Sequence, residues 1–116
     1  MNTKALLVAT GVGTALQLAM VLAGHQVVAV QSAFMWGGLA ISAVAGLLYA
    51  RAAGGGTVGS DLIGGVVAGG ACAFIGILVS HLLGDVPAMV LAFGTASSAV
   101  TGAIGAFLGR LVRRPA

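Results

Sequence analysis

Acidic side chains are almost missing from this sequence: Asp61 and Asp85 are the only two, and glutamate does not occur. Basic residues are scarcely commoner, and charged residues together make up 6% of the chain, about a quarter of the share in a soluble domain. With 59% apolar residues, too few polar side chains exist to cover a globule in water. The solvent that suits such a chain is lipid. Cysteine is limited to Cys72, which excludes an intrachain disulfide and a cysteine-built metal site and leaves a small apolar residue inside a helix. The net charge of +3 does not speak for nucleic acid, because Lys4, Arg51, Arg110, Arg113 and Arg114 form no stripe with interleaved aromatics. They stand at the ends of apolar runs.

Four apolar runs, at 4–24, 32–50, 61–80 and 88–109, are each near the roughly 20 residues a helix needs to cross a bilayer. The expected fold is therefore all-α, an integral membrane protein with four transmembrane helices. "RAAGGGTVGSD" (51–61) is the clearest break, with glycines leaving one helix and Ser60 or Asp61 capping the next. Pro87 suits the first turn of the fourth span, where its missing N–H is harmless. The first run is long for a signal-peptide core and no small-x-small cleavage site follows, so it is expected to remain as a span.

Charge sets the orientation. Four crossings place Lys4, Arg51 and the Arg110–Arg114 tail on one face, and the His25 and His81 connections, which hold no Lys or Arg, on the other. The positive-inside rule then puts both termini in the cytoplasm, and the expected location is the inner (cytoplasmic) cell membrane. Trp36 and Tyr49 fall near opposite ends of the second span, at the headgroup levels where amphipathic rings prefer to lie.

The chain also resembles itself. Sliding 5–25 forward by 56 positions brings Leu6 onto Leu62, Gly13 onto Gly69 and His25 onto His81; sliding 33–51 by 59 brings Phe34 onto Phe93, Gly46 onto Gly105 and Arg51 onto Arg110. We read a tandem repeat of a two-helix hairpin, with units 1–56 and 57–116, the second ending in the basic tail. The halves share one orientation about an axis along the membrane normal. Small residues recur every fourth position: Gly38, Ser42 and Gly46 on the second span, and Ser97, Thr101, Gly105 and Gly109 on the fourth. Gly13 on the first and Gly65 and Gly69 on the third extend the pattern. Such rows are expected to carry helix packing, because small residues let backbones approach closely where lipid supplies no hydrophobic driving force.

Chemistry is sparse. The spans hold no ionisable residue away from their ends, where proton relays and ion pathways are usually marked. Small multidrug antiporters share the length and span count, but their membrane glutamate has no counterpart here. Gln17 is the most polar long side chain at mid-membrane depth, expected to hydrogen-bond a neighbouring helix or to line a polar path. His25, His81 and Asp85 gather on one face as candidates for pH sensing or ligand binding, His25 and His81 at matching depths. No nucleophile–base pair, phosphate loop or metal-spaced cluster appears, and "GGG" at 54–56 lacks the residues of a P-loop. These features point away from an enzyme and imply no cofactor.

Arg51-x-x-GGG, "DLIGGVVAGG", the long apolar span and "GAIGAFLGRLVRR" resemble the C-terminal part of small multi-pass phage holins, over about residues 51–114. The resemblance implies a protein that self-associates in the inner membrane and opens lesions that release or activate a lysis enzyme. It implies no site residues, because holins vary in span number. The expected partners are the bilayer and either further copies of the chain or the helices of another membrane protein. Three functions stay open: a permeabilising or conducting protein, a non-catalytic subunit of a larger membrane complex, and a small solute transporter.

The topology is testable. Single cysteines at positions 28, 55 and 84, in a Cys72→Ala background, should react with an impermeant thiol reagent from outside at 28 and 84 and from the cytoplasm at 55. Outside labelling of position 55 would overturn the orientation.

Overall fold

The computed structural model describes residues 2–55 and 57–112, apart from the Gln31 side chain. Five helices follow in order: α1 (Thr3–Gln26), α2 (Val28–Ser32), α3 (Phe34–Ala53), α4 (Val58–Leu82) and α5 (Ala88–Val112). All but α2 are long and apolar enough to span a membrane. At 1.5 Å per residue, helices of 20 to 25 residues reach about 30–38 Å, the hydrocarbon thickness and slightly more.

Local chemistry explains the helix ends. Asn2 caps α1 by accepting a hydrogen bond from Ala5 N–H at 3.0 Å, and Thr57 Oγ1 caps α4 by accepting from Ser60 N–H at 3.2 Å. Gly54 ends α3 at φ 68°, a left-handed conformation that suits glycine. The cap of α4 was expected at Ser60 or Asp61, but Thr57 takes that role and Asp61 lies inside the first helical turn. The expected outer connections are also more helical. His25 and His81 occupy the last turns of α1 and α4, and α2 fills most of 25–31. Arg113 and Arg114 lie outside the described residues.

The long helices alternate in direction. α4 packs on α1, α3 and α5, and α3 packs on α1, α4 and α5; among the described residues α1 and α5 do not touch. The centre is built of small residues: Ala9, Ala45, Ala50, Ala68 and Ala106 have no exposed surface, whereas Leu7, Trp36, Met89 and Phe93 are mostly exposed. Lipid reverses the usual preference for large residues inside. A leucine gains nothing by leaving the hydrocarbon, but two helices gain dispersion contacts if nothing separates their backbones.

Gly102 is where this goes furthest. A Cβ there would run into Gly65 O and stand 3.0 Å from Gly69 Cα, both on α4. A Cβ on Gly46 of α3 would in turn run into Gly102 O, so one glycine serves two seams. Gly105 abuts Ala43 O, and a Cβ on Gly109 would lie 2.7 Å from Leu47 O. At the α3–α5 crossing the offset of 59 exchanges the Gly46–Gly102 and Ala43–Gly105 contacts. The offset does not extend to the whole bundle, where α3 meets α4 with no matching contact between α1 and α5.

The rows differ in one respect from expectation. Ser97 is exposed and Thr101 half-buried, its Oγ1 donating to Ser97 O at 2.8 Å; the buried face of α5 is Ser98, Gly102, Gly105, Ala106 and Gly109. A strict four-residue spacing turns about 40° per step on a helix with 100° per residue, so Ser97 stands about 120° around from Gly109. Spacings of four and three keep to one face. Gly13, Ser42, Gly46, Gly65 and Gly69 are buried as the seam requires, and Gly38 is half-buried beside Gln17.

Two large polar groups complete the basic end. Asp61 is fully buried and accepts from Arg110 Nη1 at 2.7 Å, joining the start of α4 to the end of α5. Tyr49 is fully buried in the slot left by Gly64, where its hydroxyl accepts from Asn2 N–H at 2.9 Å. Tyr49 lies near the basic end of α3 with its ring toward the bundle, because Gly64 makes room and an N–H is there to satisfy the hydroxyl. Trp36 is largely exposed at the opposite end of α3.

Gly102→Ala should lower stability by about 1–3 kcal/mol, since the methyl meets backbone that cannot rotate away. Gly11→Ala and Gly59→Ala, where no atom lies within 4 Å of the new methyl, should be neutral or gain up to about 1 kcal/mol of helix propensity. Thermal unfolding in one detergent ranks them, and equal melting of all three would refute the seam. The ion pair predicts an asymmetry. Arg110→Gln takes the cationic partner from a carboxylate with no exposed surface and should cost about 3–5 kcal/mol. Asp61→Asn should cost less, about 1–2 kcal/mol, because the Arg110 side chain is 24% exposed and can turn to water. A reversed order in the same melts would contradict the burial of Asp61.

Candidate functional site

The glycine contacts between α3 and α5 stop at Gly46 and Gly102. Below, Gly46, Gly102, Gly105 and Gly109 hold the two helices backbone to backbone; above, Gly37 and Gly38 turn to α1 and Gly94 to α4, and Leu39, Met35, Phe93 and Val90 line a cavity. The neighbouring pairs stay close, since Gly37 of α3 abuts Met20 of α1, and Gly94 of α5 abuts Ile77 of α4. A cavity of about 570 Å³ therefore opens between the α1–α3 hairpin and the α4–α5 hairpin, at the end that carries His25 and His81. Its size suits a small organic molecule.

Gln17 lies at the floor. Its Nε2 donates to Gly38 O at 3.2 Å and to Ser42 Oγ at 3.4 Å, and Ser42 Oγ donates to Gly69 O at 3.3 Å. The chain of bonds ties α1, α3 and α4 at mid-bundle depth. Both roles expected for Gln17 thus coincide: it bonds a neighbouring helix and it lines the cavity. Ser98 of α5 is buried on the same wall.

Asp85 and Ser80 mark the upper end. Ser80 is 1% exposed, and among the described residues its Oγ has no hydrogen-bond partner. Leaving a hydroxyl buried and unpaired costs about 1–3 kcal/mol; Thr14 and Thr95 share this state among the described residues, and of the three hydroxyls Ser80 alone belongs to a residue lining the cavity. Gly84, at φ 82°, turns the chain back after α4, and Asp85 N–H donates to Ser80 O at 3.0 Å. The turn brings the Asp85 carboxylate to the same cavity, with a side chain 13% exposed.

The histidines do not meet each other. His25 Nδ1 donates to Asp85 Oδ2 at 2.9 Å, which ties the end of α1 to the α4–α5 turn. His81 Nδ1 donates to Val86 O at 2.8 Å and stabilises that turn from within. Sixty residues of sequence separate His25 from Asp85, and the matching positions of His25 and His81 carry no hint of this pairing.

Sequence reasoning missed Ser80, Ser98 and the Asp61–Arg110 pair. The last had a usable signal. Asp61 is one of two acids in the chain, and Arg110 ends the adjacent span at the same membrane face. Ser80 and Ser98 had none, because a serine in a Gly/Ala-rich helix reads as another small packing residue. Comparison of the chain with protein-family models, with curated proteins and with solved structures finds no match.

Proposed function

We propose that this protein is a small solute carrier of the membrane, with its binding vestibule open on the side of the histidines. One observation carries the reading: a cavity lined by all four long helices runs from Asp85 at the histidine end to Gln17 and Ser98, beyond which glycine seams, Tyr49 and the Asp61–Arg110 pair fill the bundle. A half-channel with a polar floor suits alternating access, in which hairpins rock around a central site. The four long helices come as two hairpins, and the vestibule lies between them. Lipid-facing Leu7, Leu22 and Phe107 on the outer surface support the membrane setting.

A holin-like pore would need several copies, because a single bundle offers no open route past the Gly102 junction. A non-catalytic subunit would need no vestibule. The carrier reading uses both the open end and the closed one.

Ser98→Cys in a Cys72→Ala background tests this without knowledge of the solute. A carrier should expose position 98 to an impermeant thiol reagent from the histidine side and, more slowly, from the basic side, with no ionic current across a bilayer. Labelling from the histidine side alone would reject alternation. Steady current, or depolarisation of cells on induced expression, would favour the pore.

A further inference from the structure

We infer that the vestibule binds an organic monocation: a single ammonium-type charge on an apolar body, the charge held between Asp85 and Ser80. The inference rests on the carrier reading for its purpose, but the binding itself requires only the cavity.

Charge comes first. With histidine neutral, Asp85 is the only formally charged residue among those lining the cavity. The described cations Lys4, Arg51 and Arg110 belong to the other end of the bundle. A partly buried carboxylate in apolar surroundings attracts a cation more strongly than one in water, since little solvent screens it. An anion would meet the same field as repulsion.

The hydrogen-bonding pattern agrees. His25 occupies one oxygen of Asp85, and the other makes no hydrogen bond among the described residues. Ser80, whose carbonyl accepts from Asp85 N–H at 3.0 Å, lines the same cavity, and its buried Oγ has no partner among the described residues. These are a negatively charged acceptor and a hydroxyl that can accept or donate. An ammonium supplies what both lack, namely positive charge and, when not fully alkylated, donors.

The remaining walls select the body. Met20, Phe34, Met35, Leu39, Ile77 and Phe93 line the space between Asp85 and Gln17. A hydrated inorganic ion would leave these surfaces unmatched, whereas an aryl or branched alkyl group would cover them. Two phenylalanine rings add faces that favour a cation, and the methionines adapt to irregular shapes. Gln17 and Ser98 at the floor leave room for one polar substituent at the far end. Phospholipid headgroups can also carry an ammonium. Their phosphate would stand beside the Asp85 carboxylate, so the vestibule fits a free cation better.

The test uses the full chain in phosphatidylcholine nanodiscs, with empty discs as the blank, and benzyltriethylammonium as the probe in calorimetric titration. One saturable site per chain is expected. Asp85→Asn should weaken it about tenfold or more, and Ser80→Ala, against a primary or secondary benzylamine, about fivefold. His25→Gln, which frees the carboxylate, should keep or tighten binding. That variant separates recognition by Asp85 from a merely structural role of the His25–Asp85 contact. Binding of benzyl alcohol or benzenesulfonate as tightly as the cation would overturn the inference. So would an Asp85→Asn variant with wild-type affinity and a normal elution profile. A phosphatidylcholine molecule retained in native mass spectra, and released by Asp85→Asn, would reassign the site to a lipid headgroup. If binding fails while position 98 still labels from both sides, the substrate class is wrong and the carrier stands. If binding holds and labelling is one-sided, the site is a receptor for the cation and the carrier falls.

Discussion

Everything else in this bundle hangs on how closely α5 can approach two other helices at Gly102. Helices packed through leucines sit about 8–10 Å apart, but here Gly102 faces the backbones of Gly46 on α3 and of Gly65 and Gly69 on α4. One methyl at any of these positions overlaps atoms that belong to backbone, not to a flexible side chain. The three helices therefore form a close-packed junction in the basic half. Lipid makes this arrangement worthwhile, because dispersion between close backbones replaces the hydrophobic force that water would have provided.

The vestibule is the other side of the same constraint. Above the junction the small residues of α3 and α5 no longer face each other, and Leu39, Met35, Phe93 and Val90 line a cavity there. α1 and α4 each stay with their own hairpin partner through Gly37 and Gly94. The divergence is thereby confined to the space between hairpins. The seam closes the cavity below, and Gln17 provides its polar surface by bonding across to α3.

Among the few polar groups of this protein, the two acids each hold a junction. Asp61 and Arg110 join α4 to α5 at the closed end; His25 and Asp85 join α1 to the α4–α5 turn at the open end. Both acids of the chain thus bridge elements far apart in sequence. The difference lies in surroundings: Asp61 has no exposed surface, whereas Asp85 lines the cavity with a side chain 13% exposed. One acid closes the bundle and the other is available to a ligand.

Composition and hydropathy were enough to establish four apolar helices, because a span is a property of consecutive residues and its length is set by the bilayer. Glycine spacing likewise identified Gly46, Gly65, Gly69, Gly105 and Gly109 as seam positions, since a small residue matters wherever backbones touch. It misplaced Ser97 and Thr101, because a four-residue repeat drifts around the helix and only the neighbouring helix determines which face is used. The single Asp61 looked like a cap and became a buried ion-pair partner once the helix began earlier, at Thr57. His25 looked like the twin of His81, yet its partner is Asp85, which only the return of the chain through Gly84 brings near. The cavity was wholly a tertiary matter. Residues from all five helices and the α4–α5 turn line it, and its existence depends on how the long helices pack, which no local pattern encodes.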